Sequence, residues 1–214
     1  MSDDQQGCDL YLITPETISD VAAFSAQLDE VLATEAVACV QLRLKNVDDA
    51  EFEQVAVQLL PVCHKHEVPL LINDRADIAA KVGADGVHLG QGDGDIAAAR
   101  TLLGGDKDIG VTCHSSKHLA YEAGEAGANY VAFGAFFPSR TKPDAPIADK
   151  AVLTDWDMFT DMPCVAIGGI TPENCRELAD AGAHFVAVCG AVWNHSEGPV
   201  KAVQAFHKSL NVAE

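Results

Sequence analysis

Two carboxylates follow consecutive apolar runs in the first half of the chain. Asp74 directly follows the run 68–73, and Asp93 follows the run 86–90. Each run is typical of a buried strand, and in parallel α/β proteins ligands bind at the carboxyl ends of the strands. Paired carboxylates are hard oxygen ligands that suit Mg²⁺ carrying a phosphorylated ligand. The alternative is that both residues are helix N-caps, because Asp commonly begins a helix.

A stretch of alternating polar and apolar residues precedes these two acids. Gln41, Arg43 and Lys45 fall on one face of a predicted strand, and Leu42 and Leu44 fall on the other. Long polar side chains on one face of a central strand would point into the mouth of a barrel, where buried cations need a partner. We therefore expect an anion there, because guanidinium and ammonium groups both bind phosphate. The alternative is an internal ion pair between these cations and the two aspartates.

Further polar groups lie in the loop after the sixth apolar run and at the end of the fifth. Ser139, Arg140, Thr141 and Lys142 bring two hydroxyls and two cations together in one loop. This loop contains two prolines, and its length suits a segment that closes over a ligand. The alternative is a flexible polar loop with no ligand. Thr112 ends the fifth run, where it can reach a phosphate oxygen.

Cys113 and His114 also lie at the end of the fifth run. They make a poor nucleophilic pair, because adjacent strand residues point to opposite sides.

Glycines occupy the turns after the seventh and eighth apolar runs. Gly168 and Gly169 let the backbone approach a ligand closely, and Thr171 is predicted to cap the next helix. Cys189 and Gly190 form the turn after the eighth run. Loops seven and eight form the usual phosphate site of a (β/α)₈ barrel, although ordinary glycine turns have the same pattern. The residues thus indicate a diphosphate site with a metal and, separately, a monophosphate site.

An alternation of strands and helices along the chain would bring these candidate site residues together. Nearly continuous apolar runs are typical of strands that are buried on both faces. Strands are predicted at 9–14, 37–44, 68–73, 86–90, 109–113, 130–136, 164–168 and 184–189. Helices are predicted at 18–34, 48–65, 75–83, 94–103, 116–127, 149–160, 172–181 and 198–210.

Eight such units predict an α/β fold, a single (β/α)₈ TIM barrel over residues 9–210, with residues 1–8 as a frayed tail. An open doubly wound sheet is the alternative, but no glycine-rich dinucleotide fingerprint follows the first strand.

Composition limits the partners and the compartment. The formal net charge of −18 disfavours nucleic acid, and only 14 residues are Lys or Arg, so the four basic residues at the predicted mouth are conspicuous. No apolar run is long enough to span a membrane. The seven cysteines have no CxxC spacing and mostly lie in apolar runs, which indicates a reducing cytoplasm without disulfides. A homodimer is compatible with the sequence, with Trp193 as a candidate contact.

Several of these motifs occur together and in order in one known family. They are Gln41-x-Arg43-x-Lys45, Asn73-Asp74, Gly90-Gln91-x-Asp93, Gly110-Val111-Thr112-x-His114, Pro138-Ser139-x-Thr141-Lys142 and Ile167-Gly168-Gly169-Ile170. Over nearly its whole length the chain resembles bacterial thiamine phosphate synthase (thiamine-phosphate pyrophosphorylase). The resemblance implies a transferase that joins hydroxymethylpyrimidine diphosphate to thiazole phosphate and releases pyrophosphate. The alternatives are a thiazole tautomerase on the same barrel and a non-catalytic binder of thiamine phosphates.

The resemblance also implies roles for individual residues. Asp74 and Asp93 would hold Mg²⁺, and Arg43, Lys45 and Lys142 would stabilise the departing pyrophosphate. The pyrimidine diphosphate would be held by Gln41, Arg43, Lys45, Asn73, Thr112 and Lys142. The thiazole phosphate would be held by Ser139, Thr141, Gly169, Cys189 and Gly190, and Arg140 adds charge to the same rim.

The chain departs from the family pattern at four positions. The family often has an acid at the position of Leu44, Ser at the positions of Thr112 and Gly190, and Thr at the position of Ser139. Thr112 and Ser139 keep a hydroxyl group, whereas Gly190 offers only its backbone N–H to the thiazole phosphate.

Overall fold

The structure is a computed structural model that describes residues 7–138 and 146–211. Its strands are β1 (Asp9–Ile13), β2 (Cys39–Leu42), β3 (Leu70–Asn73), β4 (Gly86–Leu89), β5 (Asp108–His114), β6 (Tyr130–Gly134), β7 (Cys164–Ile167) and β8 (Phe185–Val188). Each strand pairs in parallel with its neighbours in sequence, and β1 also pairs with β8, so the sheet is a closed barrel. The predicted (β/α)₈ barrel is confirmed.

Helices connect the strands around the outside of the barrel. Within the described residues they are α1 (Val21–Leu32), α2 (Asp49–Lys65), α3 (Ala76–Val82), α4 (Ile96–Leu103), α5 (Lys117–Glu125), α6 (Ala151–Phe159), α7 (Cys175–Ala179), α8 (Gly190–Trp193) and α9 (Pro199–Leu210). Local sequence explains several of their first turns. The side chains of Asp20, Asp48 and Asp95 accept hydrogen bonds of 2.7–2.9 Å from backbone N–H groups in the first turns of α1, α2 and α4.

Two parts of the predicted helix pattern are wrong. The helix predicted at 172–181 extends only from Cys175 to Ala179, so Thr171 does not cap it. Instead, Asn174 Oδ1 accepts a 2.8 Å hydrogen bond from the N–H of Thr171, and residues 172–174 form a turn. The short helix α8, directly after β8, was not predicted, because four residues are too few to show helical periodicity.

The core has an inner and an outer part. The outer part lies between the sheet and the helices and contains most of the buried Leu, Val and Ile side chains. The inner part fills the barrel, as is usual for this fold. The inner apolar residues are Tyr11, Ile13, Cys39, Leu71, Tyr130, Ala132, Val165 and Ala187.

The described chain begins at Gly7, and Cys8 is already buried. Within the described residues, no helix is both long enough and apolar enough to cross a membrane.

Candidate active site

Two buried amides lie at the base of the barrel mouth, by which we mean the carboxyl ends of β1–β8. Gln41 in β2 and Asn73 at the end of β3 are 3% and 7% exposed. Gln41 Nε2 donates a 2.6 Å hydrogen bond to Asn73 Oδ1, and the hydroxyl of Tyr11 donates a 2.9 Å bond to Gln41 Oε1. The structure thus brings these two predicted substrate-binding residues into contact.

The two aspartates lie close to the end of the same strand, β4. The N–H of Asp74 donates a 2.8 Å hydrogen bond to the carbonyl oxygen of His88. A Cβ atom added to Gly90 would lie 2.3 Å from Asp93 Oδ2, so the Asp93 carboxylate packs directly over this glycine. Gly90 therefore leaves the space that the carboxylate occupies, and both acids border one edge of the mouth.

Neither aspartate caps a helix. Helix α3 begins after Arg75, which makes no side-chain capping bond, and Asp95 caps helix α4. The alternative of two N-caps is therefore wrong. Asp74 has a positive φ of 63°, a conformation that Asp and Asn adopt more readily than most residues.

The two cations that follow β2 have different carboxylate partners. Lys45 Nζ lies 3.4 Å from Asp74 Oδ2, so one internal ion pair considered from the sequence is present. Arg43 instead pairs with Glu16 in the loop after β1, with Arg43 Nη1 2.5 Å from Glu16 Oε1. The N–H of Lys45 also donates a 2.9 Å bond to the carbonyl oxygen of Glu16. Sequence reasoning missed Glu16, although its position just beyond the first strand placed it at the mouth.

Arg43 is also close to the end of β8. Arg43 and Glu16 both act electrostatically on Cys189, whose pKa is raised to about 11, chiefly by burial and with Arg43 opposing the rise. Cys189 Sγ donates a 3.4 Å hydrogen bond to the carbonyl oxygen of Thr14. Arg43 therefore lies toward the β1 and β8 edge of the mouth, whereas Lys45 lies toward Asp74.

Thr112 lies at the end of β5 beside His88. Thr112 Oγ1 is 2.8 Å from His88 Nε2, and Gln91 Nε2 donates a 2.7 Å bond to the carbonyl oxygen of Thr112. Cys113 points away from this pair into the outer core, where burial raises its pKa to about 12. The nucleophilic pair of Cys113 and His114 is therefore not supported, because Cys113 is buried in the outer core whereas His114 is exposed.

The glycine turn after β7 allows close backbone contact with the loop after β6. Gly168 and Gly169 have φ values of 101° and 66°. A Cβ atom added to Gly169 would lie 2.5 Å from the carbonyl oxygen of Pro138. Asn174 Nδ2 donates a 3.2 Å bond to the carbonyl oxygen of Gly169 and supports this turn, a role that the sequence did not indicate. These glycines are needed for packing whether or not a ligand binds.

Gly190 is the first residue of α8, immediately after Cys189. A Cβ atom added to Gly190 would have its nearest neighbour, Asn194 Nδ2, at 3.3 Å. Trp193, the candidate dimer contact, packs within the chain. Its indole N–H donates a 2.7 Å bond to the carbonyl oxygen of Ile13, and its ring lies 4.9 Å from that of Phe24.

Four of the predicted site residues lie outside the described part of the chain: Ser139, Arg140, Thr141 and Lys142. The described segments on either side of them border the mouth. The N–H of Phe137 donates a 3.0 Å bond to the carbonyl oxygen of Gly168, and the N–H of Ala148 donates a 2.7 Å bond to the carbonyl oxygen of Ala135. Leu44, one of the family departures, is buried in the outer core and does not face the mouth.

Comparison with known proteins identifies the family. A sequence model described as thiamine monophosphate synthase matches residues 10–192. The thiamine-phosphate synthase of Rhodospirillum centenum is 51% identical over 203 residues, covering 95% of this chain and 98% of that protein. The thiamine-phosphate synthase of Erythrobacter litoralis is 47% identical over 208 residues, covering 95% and 96%.

A solved structure has the same architecture. The thiamine phosphate pyrophosphorylase of Pyrococcus furiosus has a TM-score of 0.83 and 30% identity, covering 96% of each chain. A 3-hexulose-6-phosphate synthase has a TM-score of 0.69 at 21% identity, which shows only that the fold is shared. The sequence matches and the barrel together show that this chain belongs to the thiamine monophosphate synthase family.

Proposed function

We propose that this protein joins hydroxymethylpyrimidine diphosphate to thiazole phosphate, forming thiamine phosphate and pyrophosphate. The observation that carries the proposal is a set of polar residues at one barrel mouth. The chain that holds them is 51% identical to a thiamine-phosphate synthase over nearly its whole length. These residues are Gln41, Arg43, Lys45, Asn73, Asp74, Asp93 and Thr112.

The donor set fits Mg²⁺ better than a transition metal. Asp74 and Asp93 border the same strand end, and both offer carboxylate oxygens, which are hard ligands. Mg²⁺ commonly binds through one or two carboxylates, with substrate phosphates and water completing its shell. When bound, Mg²⁺ would neutralise charge on the diphosphate. Asp74 and Asp93 would hold it, and Lys45 would balance the charge of Asp74.

The reaction that we propose is a substitution at the methylene carbon of the pyrimidine. The bond between that carbon and the diphosphate oxygen breaks, and its electron pair leaves with pyrophosphate. The lone pair of the thiazole nitrogen then forms the new C–N bond. Arg43, Lys45 and Lys142 supply positive charge to the leaving group, so that the protein acts by charge stabilisation and positioning.

A protein nucleophile is not needed in this reaction. The two cysteines near the strand ends, Cys113 and Cys189, have pKa values raised to about 12 and about 11, chiefly by burial. Both would be thiols rather than thiolates near neutral pH, and a thiol is a poor nucleophile.

The remaining residues are assigned to the two predicted sites at the mouth, one for the pyrimidine diphosphate and one for the thiazole phosphate. The pyrimidine diphosphate would contact Gln41, Asn73 and Thr112, and the thiazole phosphate would contact the turns at Gly169 and Gly190. Ser139, Arg140 and Thr141 would contribute from the loop after β6. The cytoplasmic location and the homodimer stay predictions.

The test combines both substrates with and without Mg²⁺ and measures pyrophosphate and thiamine phosphate. The proposal expects equal amounts of both products, and formation that depends on Mg²⁺. A tautomerase would release no pyrophosphate, and a binding protein would retain thiamine phosphate without forming it. Either of these results would exclude the proposed reaction.

A further inference from the structure

A chain of hydrogen bonds crosses the barrel interior beneath the mouth. In order, its members are Thr112, His88, Tyr130, Tyr11, Gln41 and Asn73. The successive distances are 2.8, 3.0, 3.0, 2.9 and 2.6 Å. Its two ends are residues that the proposed function places against substrate, and its middle is the tyrosine pair, which is buried below them.

The donors and acceptors along this chain can be assigned from one end. Gln41 Oε1 can only accept, so the hydroxyl of Tyr11 donates to it, and the Tyr11 oxygen accepts from Tyr130. Tyr130 has then used its only proton and must accept from His88 Nδ1. In a neutral imidazole with the proton on Nδ1, Nε2 is an acceptor, so Thr112 donates to it. All five bonds therefore run in one direction.

The direction of these hydrogen bonds fixes the orientation of the Asn73 side-chain amide, at the far end of the chain of bonds. Gln41 Nε2 donates to Asn73 Oδ1, so the Asn73 oxygen is occupied and its amide nitrogen faces away from Gln41. Asn73 is only 7% exposed, and its Nδ2 has no hydrogen-bond partner within residues 7–138 and 146–211. Two N–H donors on a nearly buried side chain are thus available at the base of the mouth, which favours a ligand with acceptor atoms there.

The two tyrosines are built firmly into the barrel. A Cβ atom added to Gly110 would lie 1.9 Å from Cζ of Tyr130, so the absence of a side chain at Gly110 makes room for the Tyr130 ring. Burial raises the pKa of both Tyr11 and Tyr130 well above the ordinary value, so both hydroxyls keep their protons. A tyrosinate could not donate, and the assigned direction would then be lost.

We infer that Tyr11 and Tyr130 are positioning residues that hold the Asn73 amide with its N–H groups toward the substrate ring, and so select a heterocycle with acceptor nitrogens. The inference rests on the proposed function and extends it to two residues that touch no substrate themselves. Without the tyrosine hydroxyls, Gln41 and Asn73 could turn their oxygens toward the mouth and repel a ring nitrogen.

The test is steady-state kinetics on Tyr130→Phe and Tyr11→Phe with each substrate varied in turn. We expect KM for the pyrimidine diphosphate to rise about tenfold, since one buried hydrogen bond typically has an effect of this size. KM for the thiazole phosphate should stay within about twofold by the same reasoning. Tyr121→Phe is the matched control, because Tyr121 is 47% exposed on α5 and lies outside this chain of bonds.

A second substrate separates positioning from a general structural role. Pyridine analogues of the diphosphate, with one or the other ring nitrogen replaced by CH, lack one acceptor. With the analogue that lacks the contacted nitrogen, the penalty of Tyr130→Phe should disappear. An equal penalty with all three compounds, or equal rises in both KM values, would overturn the inference.

The wild-type protein gives an independent result if a variant does not fold. In ¹⁵N NMR spectra at neutral pH, His88 should carry its proton on Nδ1 and not on Nε2. The opposite tautomer would reverse the bonds and contradict the inference. A wild-type protein that forms no thiamine phosphate would refute the proposed function instead, whereas an active wild type with unaffected tyrosine variants would refute only the inference.

Discussion

Replacing Asp74 by Asn separates the proposed catalytic role of this carboxylate from its part in the fold. The change keeps the size of the side chain and removes its charge. It also suits the backbone, because Asp74 has φ = 63° and Asn tolerates this left-handed conformation. The N–H of Asp74, which donates to the carbonyl oxygen of His88, is unaffected by the substitution.

The expected effect on stability is small. The only ion pair of Asp74 in the described residues is with Lys45 at 3.4 Å, and the two side chains are 24% and 43% exposed. An ion pair this open to solvent contributes about 0.2–1 kcal/mol. The free energy of unfolding should therefore fall by no more than about 1 kcal/mol.

The expected effect on turnover is much larger. Loss of one preorganised charge-stabilising group lowers kcat by about 10²–10³, or about 2.7–4 kcal/mol in the transition state. Removing a metal-binding carboxylate should cost at least as much. The two effects differ by more than 1 kcal/mol, so kinetics and unfolding measurements can distinguish them.

Pyrophosphate release should be measured across a range of Mg²⁺ concentrations, with denaturant unfolding of the same preparations. Asp155→Asn is the matched control, because Asp155 also pairs with a half-exposed lysine, Lys117, but lies on α6 away from the acids at β4. The control should lose similar stability and keep its turnover. If Asp74→Asn turned over within about twofold of the wild type at saturating Mg²⁺, the assignment of a metal-binding role would be wrong.

Three further outcomes follow from the same structure. Gly110→Ala should lower the free energy of unfolding by about 1–3 kcal/mol, because the added Cβ overlaps the Tyr130 ring. Gly105→Ala is the control and should leave the free energy of unfolding unchanged, since open space surrounds Gly105. Equal denaturation midpoints for the two variants would contradict this prediction. Gly190→Ser should be tolerated, since its Cβ meets only the Asn194 amide at 3.3 Å, and should lower KM for the thiazole phosphate about tenfold through a hydrogen bond to a charged group. A higher KM would show that the hydroxyl does not reach the phosphate. Chelation of divalent ions should stop pyrophosphate release and added Mg²⁺ should restore it, whereas activity that persists in chelator would argue against the metal.

Much of the fold could be predicted from sequence because its signals are local. Continuous apolar runs separated by amphipathic segments give the eight units, and the polar residues that follow each run mark the mouth. Periodicity did not fix the exact boundaries: the strand predicted at 37–44 extends only from Cys39 to Leu42. Helix α8 was missed because it is shorter than the period that identifies helices.

The sequence by itself determined that residues following the strands lie at one end of the barrel, because every parallel strand points its carboxyl end to the same side. Only the tertiary structure decided which of them touch. Arg43 pairs with Glu16 rather than with an aspartate, and Tyr11 meets Tyr130 across 119 positions of sequence. The physical reason is that periodicity fixes the face on which a side chain lies, whereas its partner depends on the closure of the barrel and on the space left by residues such as Gly110.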